Sequence, residues 1–205
     1  MNFRTALGPV AVAAALALSP LTAAAQQAAA AGAQDAAPQV PAGPEVAATF
    51  RDWQILCNTV DAAGAQECEM YQLLHDSTGS PIAEISIVAL PLGSEFAAGA
   101  TVTTPLETFL PMGMGWYIGE RPADGQIRAE GFRVCTVVGC IVRMGLSTDE
   151  IDAMKSGSNA TIMIAPFVAI DQPVEITVSL AGFTAAYDDL QTRLSQAAAA
   201  ARANQ

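Results

Sequence analysis

Cysteines at positions 57, 68, 135 and 140, in a chain of 205 residues, constrain the fold more than any other feature. What they do depends on the compartment, and the first 25 residues speak to that. One cation, Arg4, precedes an apolar stretch over residues 6–18, which is followed by Pro20 and the small run Ala23-Ala24-Ala25. This is the three-part pattern of a secretory signal peptide, cleaved near Ala25. The apolar stretch is too short and too Ala-rich for a permanent span, which takes roughly 20 strongly apolar residues. No Arg-Arg pair and no Cys near the cleavage site point to twin-arginine export or a lipidated end. The mature form is therefore expected to be soluble, without a membrane span, and to fold in the periplasm, with a surface or secreted form as alternatives.

An even set of cysteines in an oxidising compartment is expected to pair. Three connectivities exist. The local one, Cys57 with Cys68 and Cys135 with Cys140, needs only that each pair face across one hairpin, where Cβ atoms lie roughly 4.5–5.5 Å apart. Crossed pairing closes longer loops but requires the two hairpins to touch at those points. Local pairing is the expectation on geometry. The spacings contain no Cys-x-x-Cys pair and no zinc-ribbon pattern, so a structural role is expected rather than redox catalysis or metal binding.

Residues 26–47 are Ala, Gln, Pro and Gly with almost nothing large to bury, and read as a flexible linker. Residues 48–190 hold both Trp and all four Cys and suit one domain; residues 191–205 form an Ala-rich tail, helical or frayed. Runs at 50–57, 67–75 and 82–91, separated by turn segments 61–64 and 76–81, predict three strands in meander order. Residues 92–125 predict short strands joined by irregular loops. Residues 132–136 and 140–144 form a hairpin candidate around Val137-Val138-Gly139. Ser147 and Glu150 stand at capping-box spacing and open a short helix ending near Gly157. Strands at 160–166 and 174–180 follow, and after Gly182 the positions Phe183, Tyr187, Leu190 and Leu194 mark one helix face, with fraying expected beyond Leu194. The fold class is mainly β: a β-sandwich or barrel-like antiparallel sheet with a short internal helix and a C-terminal helix.

Catalytic candidates are few. His75 is the only histidine, beside Asp76 and Ser77, and reads as a solvated loop residue rather than a general base. Met112 and Met114 supply thioethers suited to Cu(I), though packing is the commoner role of Met in such a segment. Glu67 and Glu69 share one strand face, and Asp149, Glu150 and Asp152 cluster at a helix start, where acids complement the dipole. No cofactor or phosphate-binding loop is indicated. Loss of Arg4 with the signal peptide takes the formal charge from −11 to −12, which disfavours nucleic acid and anionic lipid as partners.

Taken in order, Phe50-Arg51-Asp52-Trp53 leading to Cys57, Cys68-Glu69-Met70-Tyr71-Gln72, Pro91-Leu92-Gly93, Pro105-Leu106 and Leu110-Pro111-Met112-Gly113 resemble the invasion-associated locus B family of bacterial exported proteins. So do Cys135-Thr136-Val137-Val138-Gly139-Cys140 and the run from Ser179 to Tyr187. The resemblance covers residues 50–190. It implies an exported, disulfide-bonded envelope domain and supplies no catalytic motif; the name refers to host-cell invasion, which many members' bacteria do not practise. The expectation is a non-enzymatic envelope protein that binds another, unknown macromolecule, the alternative being a periplasmic small-ligand or Cu(I) carrier.

Overall fold

The computed structural model describes residues 43–59, 66–123 and 125–203, so the predicted signal peptide and the turn at 61–64 lie outside the described residues. The chain runs through β1 (Glu45–Phe50), β2 (Trp53–Thr59), β3 (Gln66–His75), β4 (Pro81–Ala89) and β5 (Ala98–Thr104). It continues through β6 (Met114–Ile118), β7 (Arg128–Glu130), β8 (Phe132–Thr136) and β9 (Gly139–Leu146). Then come α1 (Thr148–Ser156), β10 (Asn159–Ile164), β11 (Val174–Ser179) and α2 (Phe183–Ala203).

All strand pairings are antiparallel. One sheet has the order β1-β2-β3-β4-β5-β9-β8 and the other β11-β10-β6-β7. The predicted three-strand meander is β2-β3-β4, and in β4 successive side chains alternate: Ala83, Ile85 and Ile87 are buried while Glu84, Ser86 and Val88 face outward. One core lies against both sheets, with Trp53, Ile55, Met70, Ile85, Val102 and Val142 from the first and Met114, Trp116, Ile162 and Val178 from the second. Ile151 and Met154 of α1 and Phe183, Ala186, Tyr187 and Leu190 of α2 complete it. The mainly β class with two minor helices is thus observed, as two sheets sharing a core.

Two boundaries differ from the sequence reading. Strand β1 begins at Glu45, inside the segment read as linker, because its backbone pairs with β2 from Glu45↔Cys57 to Phe50↔Trp53 although its side chains are mostly exposed. An edge strand held by ladder hydrogen bonds carries little hydrophobic signature. Helix α2 continues to Ala203 where fraying was expected. Its Ala-rich turns have the highest helix propensity, and Leu194 and Ala197 wall a groove against β3 and β4.

The capping box is complete: Glu150 N donates to Ser147 Oγ at 3.2 Å, and Ser147 N donates to Glu150 Oε2 at 2.9 Å. Ser147→Ala is expected to lower stability by about 1 kcal/mol, seen as a lower urea midpoint with an unchanged slope.

Candidate functional site

The cysteines form Cys57–Cys68 and Cys135–Cys140, each pair directly opposite across its own hairpin, β2–β3 and β8–β9. His75 ends β3, exposed and paired in register with Pro81. Its neighbour Asp76 is committed to the turn, accepting from Thr78 Oγ1 at 2.7 Å, Thr78 N at 2.8 Å and Ser80 N at 2.9 Å. The Thr78 hydroxyl first, then the backbone N–H groups, hold that carboxyl below its usual range. All three bonds fall on Oδ1 and fix the carboxyl within its own turn.

The two candidate thioethers part company. Met114 is fully buried in β6, while Met112 sits exposed on the 3-10 turn Leu110–Met112. Met112 instead shares with Met163 a cavity of about 100 Å³ whose other walls are Gly, Ala, Ile and Pro. Among the described residues no cluster of three or more His, Cys, Asp or Glu could hold a metal ion.

The segments that carry the family resemblance meet in space. Trp53 Nε1 donates to Ser179 O at 2.9 Å, and buried Gln72 donates from Nε2 to Asp52 O at 3.2 Å and Ser179 O at 3.0 Å. Ser179 N returns a bond to Gln72 Oε1 at 2.9 Å, and Ser179 Oγ donates to Asp52 Oδ2 at 2.6 Å. Gly182, at φ 88°, lies so close that a Cβ there would strike the Phe50 carbonyl, while Arg51 holds a positive φ of 57° in the turn beneath it. The rings of Trp53 and Phe183 meet edge-on at 5.5 Å, and those of Phe183 and Tyr187 stack at 5.8 Å. This clasp fastens the first sheet, the last strand and α2; its polar atoms are spent on one another, and the conformation does structural work.

A second junction gave no signal in the sequence. Arg128 of β7 donates to Glu130 Oε1, to Glu150 Oε1 at 2.6 Å and to Gly145 O at 3.0 Å, joining the second sheet to β9 and α1. Partial burial works against its charge, but the hydrogen bonds to Glu130 and Glu150 outweigh that and raise its pKa. Of the acids singled out in the sequence, Glu150 thus serves both a cap and an ion pair.

Several large apolar side chains remain exposed. The two-residue turn between β8 and β9 exposes Val137 at 95% and Val138 at 75%, and the loop after β10 exposes Phe167 at 68% and Val168 at 85%. Leu106 and Met112, on the segment between β5 and β6, are also exposed. These turns share one end of the domain. Phe109 N donates to Ala165 O and Phe167 N to Glu107 O, each at 2.7 Å, and Val138 lines a shallow depression with Pro105 and Leu73. Hairpin turns of two residues favour Asn-Gly or similar pairs. Here two β-branched apolar residues occupy the tip with no positive φ, and the Cys135–Cys140 bridge closes the hairpin behind them. No Lys or Arg occurs in residues 105–112, 134–139 or 166–174. Sequence reading placed the hairpin but not the convergence of the three turns.

No curated protein matches this chain in sequence. A solved structure, the invasion associated protein B of Bartonella henselae, aligns over 76% of this chain and 99% of its own length, with a TM-score of 0.61 at 20% identity, and so shares the fold. The family model for invasion associated locus B (IalB) proteins matches residues 53–191, which include both bridges and the clasp's Trp53, Gln72, Ser179 and Phe183, and the chain belongs to that family.

Proposed function

We propose that this is a non-enzymatic, exported envelope protein that binds another protein through its apolar end and works in the periplasm after cleavage near Ala25. The observation that carries this reading is the cluster of exposed side chains on three adjoining turns, Val137-Val138, Leu106 and Phe167-Val168. Single exposed apolar residues need no explanation, whereas a contiguous group on turns otherwise expected to be polar marks an interaction surface. The turns are held by a disulfide and by loop-to-loop hydrogen bonds, so little ordering entropy remains to be lost on binding.

Two bridges suit an oxidising compartment, which supports the periplasmic location. The exposed His75, the engaged Asp76 and the acids tied into the Arg128 junction support the non-enzymatic part. Separation of Met114 from Met112 speaks against a Cu(I) carrier built on that pair.

The test is crosslinking in intact cells followed by pull-down, comparing the natural chain with a Val138→Glu, Phe167→Glu double variant. Two carboxylates placed in a desolvated contact should weaken binding more than about tenfold. The crosslinked species should disappear while the exported, disulfide-bonded protein stays at its usual level. Crosslinks of unchanged intensity in the double variant would remove the apolar end from consideration.

A further inference from the structure

The Cys57–Cys68 bridge has two unlike sides. Cys57 is buried, and Arg193 Nη1, reaching across from α2, donates toward its Sγ at 4.0 Å. Cys68 is half-buried and lines a groove of about 380 Å³ between α2 and the β3–β4 pair, walled by Val88, Ala89, Leu190 and Leu194. Cys68 is the half that borders the groove, whose lining also includes Arg193, and Cys57 is the sulfur within reach of the guanidinium.

Exchange at a disulfide needs an accessible sulfur for the incoming thiolate and a stabilised thiolate on the sulfur that leaves. Both requirements select the same direction here. We propose that Cys68 is a site of reversible modification by a small thiol, entered through the α2 groove, with Cys57 leaving as a thiolate held by Arg193. The incoming thiolate sulfur bonds to Cys68 Sγ, and the Cys57–Cys68 bond breaks with its electron pair passing to Cys57 Sγ. The small thiol is thereby oxidised to a mixed disulfide as Cys57 is reduced. Attack of the Cys57 thiolate on Cys68 Sγ reverses the step and expels the small thiolate. The groove suits a small reactant rather than a protein surface, because α2 stands over one side of Cys68.

The nearby charges define the experiment. Asp189 Oδ2 accepts from Arg193 Nε at 2.6 Å and draws part of its field away from the sulfur. Glu67 lines the groove and Glu45 stands opposite Cys57 in register, so both oppose a thiolate and leave Arg193 as the group that favours it.

The full-length exported protein is treated with glutathione, quenched with an alkylating agent at intervals and mapped by mass spectrometry. Glutathione is expected on Cys68 in at least about tenfold excess over Cys57, with Cys57 alkylated. Arg193→Gln should slow adduct formation about threefold or more, and Asp189→Asn should speed it, because the first removes the cation and the second frees it. Reduction of Cys135–Cys140 in the same samples reports any general loosening and should keep one rate throughout. Glutathione found on Cys57, or shared evenly, overturns the proposal. So does a shift in the same direction for both variants, which would report a displaced α2 rather than a stabilised leaving group.

Discussion

Trp53→Ala should lower the stability of the domain by about 3–5 kcal/mol, enough to depress its Tm by roughly 10 °C or more. The ring is fully buried at the start of β2, packs edge-on against Phe183 and closes the clasp through its bond to Ser179 O. Truncation removes its apolar contact area and leaves a cavity between β2 and α2 that backbone hydrogen bonds prevent from collapsing. Trp53→Phe separates the two contributions. It keeps much of the packing and deletes the indole donor, while Ser179 O still accepts from Gln72, so a loss of about 1 kcal/mol is expected. Differential scanning calorimetry of the two variants against the natural chain measures both. Near-equal losses would mean that the hydrogen bond to Ser179 O, not the packing of the ring against Phe183, carries the stabilisation.

The elements that could be read in advance are those whose signal is local. The β8–β9 hairpin follows from two short apolar runs around Val137-Val138-Gly139, and the start of α1 follows from Ser147 and Glu150 at capping spacing. The inward face of β4 follows from strict alternation. What escaped depends on partners distant in sequence. Strand β5 lies between β4 and β9, pairing Val102 with Val142, forty positions further along the chain, and nothing in residues 98–104 announces that neighbour. Strand β6 joins β10 in the other sheet, a partner its own residues do not announce, although the packing role favoured for Met114 over Cu(I) ligation is the one it has.

The same limit applies to the polar junctions. Gln72 looks like an outward residue in a mixed run, yet it is buried, because its amide meets the backbone of Asp52 and Ser179 and thereby satisfies both its ends. Arg128 opens the short strand β7 with no task evident in the sequence, and its partner Glu150 already has a local explanation in the cap and dipole of α1. The apolar end was hidden for a related reason. Its Val, Leu and Phe side chains occur on three separate turns, and each read singly is an ordinary exposed residue. Only the backbone bonds Phe109 N to Ala165 O and Phe167 N to Glu107 O bring two of those turns together.

Replacing both Cys57 and Cys68 by Ser should lower stability by roughly 2–3 kcal/mol while leaving the fold recognisable, because a bridge across one hairpin mainly restricts the unfolded chain. The native hairpin keeps its ladder from Gln54↔Tyr71 through Asn58↔Glu67 without the bond, and Ile55 and Met70 remain buried beside it. Changing only one of the pair should be worse, since an odd thiol in an oxidising compartment is free to pair wrongly. The pairing itself has a sharper consequence. With each bridge confined to its hairpin, cutting the chain between β3 and β8 leaves no covalent link between the halves. Proteolysis of unreduced, denatured protein should therefore yield two separate disulfide-containing fragments. A peptide joining Cys57 or Cys68 to Cys135 or Cys140 would refute the local arrangement. Four free thiols in protein recovered from the periplasm would do more, because the closed Val137-Val138 tip and the polarised Cys57–Cys68 bridge both depend on these bonds being made in the cell.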